Sequence, residues 1–206
     1  MAKVLIGVVT YGKQRYCLDE FVDAVKKQTA QADVLFIVNN GESAYATLLR
    51  SLNLKSVEDP LPAQTRIDKI VNGRKYLRKY ALDNGYDYLF LVDSDVMLPP
   101  NALEVLLQTK GDVIAGVYLK AFELGGKTVI APYVFRDLGK GNAQLYTYEG
   151  IAAPRVMDIG AAGFGCALIS RKVLDKIDIK TMGTNQVGAE AVAFFVDARE
   201  NGFKCV

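Results

Sequence analysis

Tyr88 to Asp95 reads Y-L-F-L-V-D-S-D, five apolar or aromatic residues that stop abruptly on two carboxylates, Asp93 and Asp95. A run without polar alternation suits a strand covered on both faces, as in a parallel sheet flanked by helices. Val4 to Thr10 (V-L-I-G-V-V-T) and Val34 to Val38 (V-L-F-I-V) have the same character, and they end on Thr10-Tyr11-Gly12 and Asn39-Asn40-Gly41. Between them Leu18, Phe21, Val22 and Val25 recur at helical spacing, with Lys26 and Lys27 at the end where cations suit the helix dipole. Strand, helix and strand in this order imply a right-handed parallel crossover. Ligands of open α/β sheets bind beyond the carboxyl ends of the strands, so these three polar strand ends are where chemistry is expected.

Working outward, the pattern predicts a helix over Ser43 to Leu52, a weak strand at Ser56 to Glu58 and a long helix from about Thr65 to a stop at Asn84-Gly85. The basic residues of that helix, among them Arg66, Lys69, Arg74 and Arg78, read as a solvated face with long aliphatic stems. Pro99 and Pro100 sit where another helix begins, and Asp112 to Leu119 reads as a strand. Thr128 to Phe135 and Gln144 to Tyr148 are expected to pair as an antiparallel hairpin joined by Gly139 to Asn142. Cys166 to Ile169 reads as a short strand, Arg171 to Ile177 as a short helix, and Ala189 to Glu200 as a last helix stopped by Asn201-Gly202. Phe203 to Val206 starts a strand that ends with the chain, which suggests missing C-terminal elements. The expectation is one α/β domain over residues 1–206, with a mostly parallel sheet and a small antiparallel element.

Composition narrows the function classes. The chain has 206 residues, half of them apolar and 23% charged, which excludes disorder, collagen and coiled coil. Lys and Arg number 25 against 23 Asp and Glu, a formal charge of +2 that gives no support to a nucleic-acid partner. No run approaches the roughly 20 apolar residues of a bilayer span, and the N-terminus lacks a signal-peptide pattern. Cys17, Cys166 and Cys205 are far apart and without metal spacing. A cytoplasmic, reducing location is therefore expected. Histidine is absent, so any acid–base work falls to carboxylates, hydroxyls and amines.

Two carboxylates at i and i+2 beyond a strand end can offer hard oxygen ligands to Mn²⁺ or Mg²⁺, which a diphosphate then completes. Asp93 and Asp95 are the candidate ligands; the bland reading makes one a turn residue and the other a helix-start residue. Asp158 is a candidate for facing an acceptor or for a turn or capping role. In the small-residue loop Gly160 to Gly165, Gly163 and Gly165 could let a backbone approach a ligand, or could serve close strand packing.

In order along the chain, Val8 to Tyr11, Phe36 to Ser43 (F-I-V-N-N-G-E-S), Asn72-Gly73 leading to Tyr88 to Asp95, Gly165 to Leu174, and Glu190 to Cys205 resemble the blocks of GT-A fold nucleotide-sugar glycosyltransferases, family 2 in particular. The resemblance runs over most of the chain and implies a single three-layer GT-A domain, with residues 1–119 as the nucleotide-sugar half and 120–206 as the acceptor half. It implies metal-dependent, inverting transfer of a sugar from a UDP- or GDP-sugar to an acceptor hydroxyl. Thr10, Tyr11 and Asn39 would line the base pocket, Asp93 would lie near ribose or metal, Asp95 would bind the metal, and Glu190 would stand beside the acceptor hydroxyl as the catalytic carboxylate, with Asp158 behind it. Two positions depart from the pattern: Asn39 replaces the usual Asp, and Ala191 stands where a second acid is expected. The competing readings are a sugar-phosphate nucleotidyltransferase, whose glycine-rich first loop is missing here, and a catalytically silent nucleotide-sugar binding module.

Overall fold

A computed structural model describes residues 2–139, 142–180 and 188–206. Its elements run β1 (Val4–Thr10), α1 (Leu18–Lys26), β2 (Asp33–Val38), α2 (Ser43–Ser51), β3 (Ser56–Glu58), α3 (Arg66–Asp83), β4 (Tyr88–Val92) and α4 (Ala102–Gln108). They continue with β5 (Val113–Ala115), β6 (Leu119–Leu124), β7 (Lys127–Pro132), β8 (Val134–Gly139), β9 (Asn142–Leu145), α5 (Tyr148–Ile151), β10 (Ala161–Ala162), β11 (Cys166–Ser170), α6 (Arg171–Lys176) and α7 (Ala189–Glu200).

The main sheet has the order β3-β2-β1-β4-β11-β5. β1 pairs in parallel with β2 and β4, and β2 with β3, while β11 runs antiparallel to β4 and β5. The chain thus steps outward from β1 to β3 and returns to place β4 on the other side of β1. That reversal opens a crevice beyond the ends of β1 and β4, the usual ligand position of such sheets.

Period-two alternation along the strands divides the core. Ile6, Val8, Phe36 and Phe90 pack with Phe21 of α1, Leu49 of α2 and Leu103 of α4. Leu5, Ile37, Leu89 and Leu91 pack with Val71 and Leu77 of α3, Leu174 of α6 and Phe194 and Phe195 of α7. At the start of α3 the Thr65 hydroxyl accepts the Asp68 N–H, and the Asp68 carboxylate accepts the Thr65 N–H, a capping box that fixes the first turn. α3 lies low on the sheet because Gly7 leaves room: a methyl there would come within 2.9 Å of Leu77. The C-terminal residues run beside β5, with the Ala115 N–H donating to the Val206 carbonyl at 2.8 Å and the Val206 N–H to the Val113 carbonyl at 3.0 Å. No helix among the described residues is long and apolar enough to cross a membrane.

The antiparallel region differs from the expected hairpin. Thr128 to Phe135 is split: β7 pairs with the upstream β6, and β8 pairs with β9 and β10. Pro132, which has no N–H to continue a ladder, ends β7, and the Tyr133 N–H turns to the Tyr118 carbonyl at 2.9 Å. Gly125 and Gly126, both at positive φ, form the two-residue loop between β6 and β7. Of the turn expected at Gly139 to Asn142, residues 140 and 141 lie outside the described residues. The expected strand from Asp112 to Leu119 is only Val113–Ala115, since the Gly116 N–H makes a last bond to the Cys166 carbonyl and the chain then leaves the sheet.

Candidate functional site

Beyond the ends of β1, β2 and β4 lies a crevice of about 420 Å³, lined among others by Thr10, Tyr11, Lys13, Asn39, Glu42, Arg66, Lys69, Arg74, Asp93 and Asp95. Three sequence-separated strand ends therefore meet in one cavity. The loop after β1 is held toward the start of α2 by the Gly12 N–H, which donates to Glu42 at 3.2 Å. The Asn39 N–H donates to the Thr10 carbonyl at 3.0 Å. Asn39 is only 7% exposed, and its buried Oδ1 has no hydrogen-bond partner among the described residues. An acceptor left unsatisfied at a cavity wall costs on the order of 1–3 kcal/mol, which a ligand N–H would recover.

The opposite end is organised by Arg74, a residue that the sequence reading placed on a solvated face. Its side chain is only 7% exposed. One terminal nitrogen donates to Asp93 Oδ1 at 2.7 Å, another pairs with Glu190 Oε1, and the guanidinium lies 5.1 Å from the centre of the Phe164 ring. Burial works against the charge of Arg74, but the Asp93 and Glu190 carboxylates outweigh it and raise its hold on the proton. The second Glu190 oxygen accepts the Gly188 N–H at 2.9 Å. Arg74 thus ties α3 to the end of β4 and to the start of α7.

The residues expected to be catalytic, Glu190 and Asp158, are not among those that line the crevice. Glu190 is 1% exposed, and its two oxygens bond Arg74 and the Gly188 N–H. Ala191 is fully buried in the core beside Phe194 and Phe195 and does not face the crevice. Asp158 has a side chain 84% exposed, lies 3.9 Å from Lys204, and lines a separate depression with Arg136, Tyr146 and Arg199. Gly163 and Gly165 do not line the crevice either. A methyl on Gly163 would lie 2.0 Å from the Tyr118 hydroxyl, and the Gly165 N–H donates to that hydroxyl at 3.0 Å. These glycines make room for tyrosines, which is the packing alternative.

Lys120, reaching in from β6, sits 4.1 Å from the centre of the Tyr133 ring. Burial lowers its proton affinity, against the pull of Glu190 and Asp93. For a metal, the described residues hold no group of three or more Asp, Glu, Cys or His side chains. Asp95, exposed in the crevice, has no hydrogen bond or ion pair among the described residues, and Asp93 keeps one oxygen beyond its bond to Arg74. Two carboxylates with the rest supplied by phosphate is a donor set that suits Mg²⁺ or Mn²⁺.

No family model and no curated protein matches the chain. Solved structures share its fold. CMP:2-keto-3-deoxy-manno-octonic acid synthetase, complexed with CTP, matches with a TM-score of 0.57 at 12% identity over 99% of this chain and 88% of that one. 4-Diphosphocytidyl-2C-methyl-D-erythritol synthase matches with a TM-score of 0.53 at 13% identity over 98% and 86%. TarS of S. aureus matches with a TM-score of 0.57 at 15% identity over 99% of this chain, which spans only 35% of TarS. At such identities the likeness is one of architecture: the chain shares the α/β fold of these three proteins.

Proposed function

We propose that the protein is a single three-layer GT-A unit that moves a sugar from a UDP- or GDP-sugar to an acceptor hydroxyl with inversion. The observation that carries this reading is the meeting of Thr10-Tyr11, Asn39 and Asp93–Asp95 in one crevice at the point where the strand order reverses. The base would lie against Tyr11, with an N–H directed at Asn39 Oδ1. Asp95 and the remaining Asp93 oxygen would hold Mn²⁺ or Mg²⁺, whose charge would favour departure of the diphosphate. Arg74 orients Asp93 through the 2.7 Å bond between them. Glu190 is a positioning residue that holds Arg74 on Asp93. The three cysteines are free and buried, which suits the reducing cytoplasm.

The buried Ala191 and engaged Glu190 leave no free carboxylate at the start of α7 for an acceptor proton. That observation favours a second reading, in which the crevice binds a nucleotide sugar without fast transfer or serves nucleotidyl transfer. Calorimetric titration of UDP, GDP and CDP with Mn²⁺ and with chelator tests the site. Binding should tighten with Mn²⁺, and Asp95→Ala should remove that gain. Absence of nucleoside diphosphate binding under both conditions refutes the nucleotide-sugar reading, and equal affinity under both refutes the metal. Release of nucleoside diphosphate from a panel of nucleotide sugars separates an enzyme from a silent binder.

A further inference from the structure

Four cationic side chains line the crevice, and of these only Arg74 is paired with a carboxylate among the described residues. Lys13 from the loop after β1 and Arg66 and Lys69 from the first turn of α3 all line it. None of these three forms an ion pair among the described residues. Of the carboxylates on the same walls, Asp93 is paired with Arg74, while Glu42, which accepts the Gly12 N–H, and Asp95 form no ion pair with these cations among the described residues. The acid nearest in sequence to Arg66 and Lys69 does not neutralise them, because Asp68 is turned back on Thr65, accepting its N–H at 3.0 Å and its hydroxyl at 2.8 Å. Cations that line one crevice and pair with none of its carboxylates repel one another, and an anion seated among them removes that repulsion while gaining charge-assisted hydrogen bonds.

We propose that Lys13, Arg66 and Lys69 form an anion subsite for a phosphate group, made by different residues from the Asp93–Asp95 end of the crevice. It rests on the proposed function only in taking this crevice as the ligand site. The phosphate is either the third phosphate of a nucleoside triphosphate or one carried by a second substrate.

The test titrates the protein with inorganic pyrophosphate in chelator, beside the variants Lys13→Ala/Lys69→Ala and Asp95→Ala. Pyrophosphate should bind the unmodified protein, bind the double variant tenfold or more weakly at unchanged thermal stability, and bind Asp95→Ala no less well. UTP and UDP in chelator then identify the source. UTP binding severalfold tighter than UDP, with the gap closed in the double variant, assigns the third phosphate. No gap, with pyrophosphate joining a preformed UDP complex, assigns a second substrate. Absence of pyrophosphate binding, binding equal in the double variant, or displacement by UDP without a triphosphate gap overturns the subsite. Pyrophosphate bound at the cations in a protein that ignores UDP and GDP with Mn²⁺ keeps the subsite and refutes the transfer reading.

Discussion

A methyl group built on Gly73 would lie 2.9 Å from both methyl groups of Val9, so α3 is pressed onto β1 at a residue that has no side chain. The next residue is Arg74, and this contact sets the depth from which it reaches Asp93. In an open helix, glycine to alanine stabilises by about 1 kcal/mol. Overpacking a filled interface costs about 1–3 kcal/mol and should win here. Gly73→Ala is expected to lower the urea midpoint and weaken nucleoside diphosphate binding severalfold. A raised midpoint would show that α3 is free to shift.

The two carboxylates on Arg74 should differ in what their loss costs. Asp93 has a side chain 38% exposed and can lose its partner to water, whereas Glu190 is 1% exposed. Asp93→Asn should cost about 1 kcal/mol or less, as for partly solvated pairs. Arg74→Met strands the buried Glu190 carboxylate and should cost about 3–5 kcal/mol, and Glu190→Gln, which leaves the buried Arg74 only its partly exposed partner Asp93, should cost more than Asp93→Asn. The double variant Arg74→Met/Glu190→Gln should be less destabilised than the sum of the two by more than about 1 kcal/mol. Additive losses in denaturant titrations would show that the buried pair is not the source.

Sequence alone reaches this site only in part, for reasons that individual residues make plain. Tyr88 to Val92 declares a buried strand because no polar residue interrupts it, and the capping box at Thr65 and Asp68 declares the start of α3 because both members are local. Arg74 is hidden: its burial depends on α3 meeting β1 at Gly73, a tertiary contact, and the surrounding Lys75, Arg78 and Lys79 make the whole helix look solvated. Glu190 is legible as a residue of interest at the start of α7, yet only its partner reveals that it positions Arg74. In the hairpins, Gly125-Gly126 is a local signal of a two-residue turn that the continuous run across Pro132 and Tyr133 obscures.

The C-terminal edge should come loose in acid. Asp112, between α4 and β5, accepts the Lys204 N–H at 2.8 Å and pairs with Lys172 at 2.5 Å. Burial pushes its carboxyl up, but Lys172 and the Lys204 N–H outweigh burial and hold it below the ordinary carboxylate value. A carboxyl depressed in the folded state adds stability above its unfolded value of about 4, and that stability is lost as pH falls through the folded value. Asp112→Asn should therefore lower stability at pH 7 by about 1–3 kcal/mol. The deficit should shrink as the parent is taken below about pH 4. Thermal midpoints that differ equally at pH 7 and pH 3 would contradict this.

Asn39 offers a test in which stability and affinity move in opposite directions. Its Oδ1 is buried in a wall of the crevice and without a partner among the described residues, so the ligand-free protein carries the cost and a base N–H would remove it. Asn39→Leu relieves the unsatisfied acceptor and should leave the thermal midpoint equal or higher, while binding of UDP or GDP weakens about tenfold, the equivalent of one hydrogen bond of about 1.4 kcal/mol. Asn39→Asp places a charge in the same buried position and should lower the midpoint of the free protein. With ligand the same charge makes a charge-assisted bond about twice as strong as a neutral one, so affinity should rise severalfold and the ligand-induced increase in midpoint should exceed that of the parent. If Asn39→Leu binds UDP and GDP as the parent does, the base lies away from β2, and the assignment of the first two strand ends to nucleobase recognition is wrong.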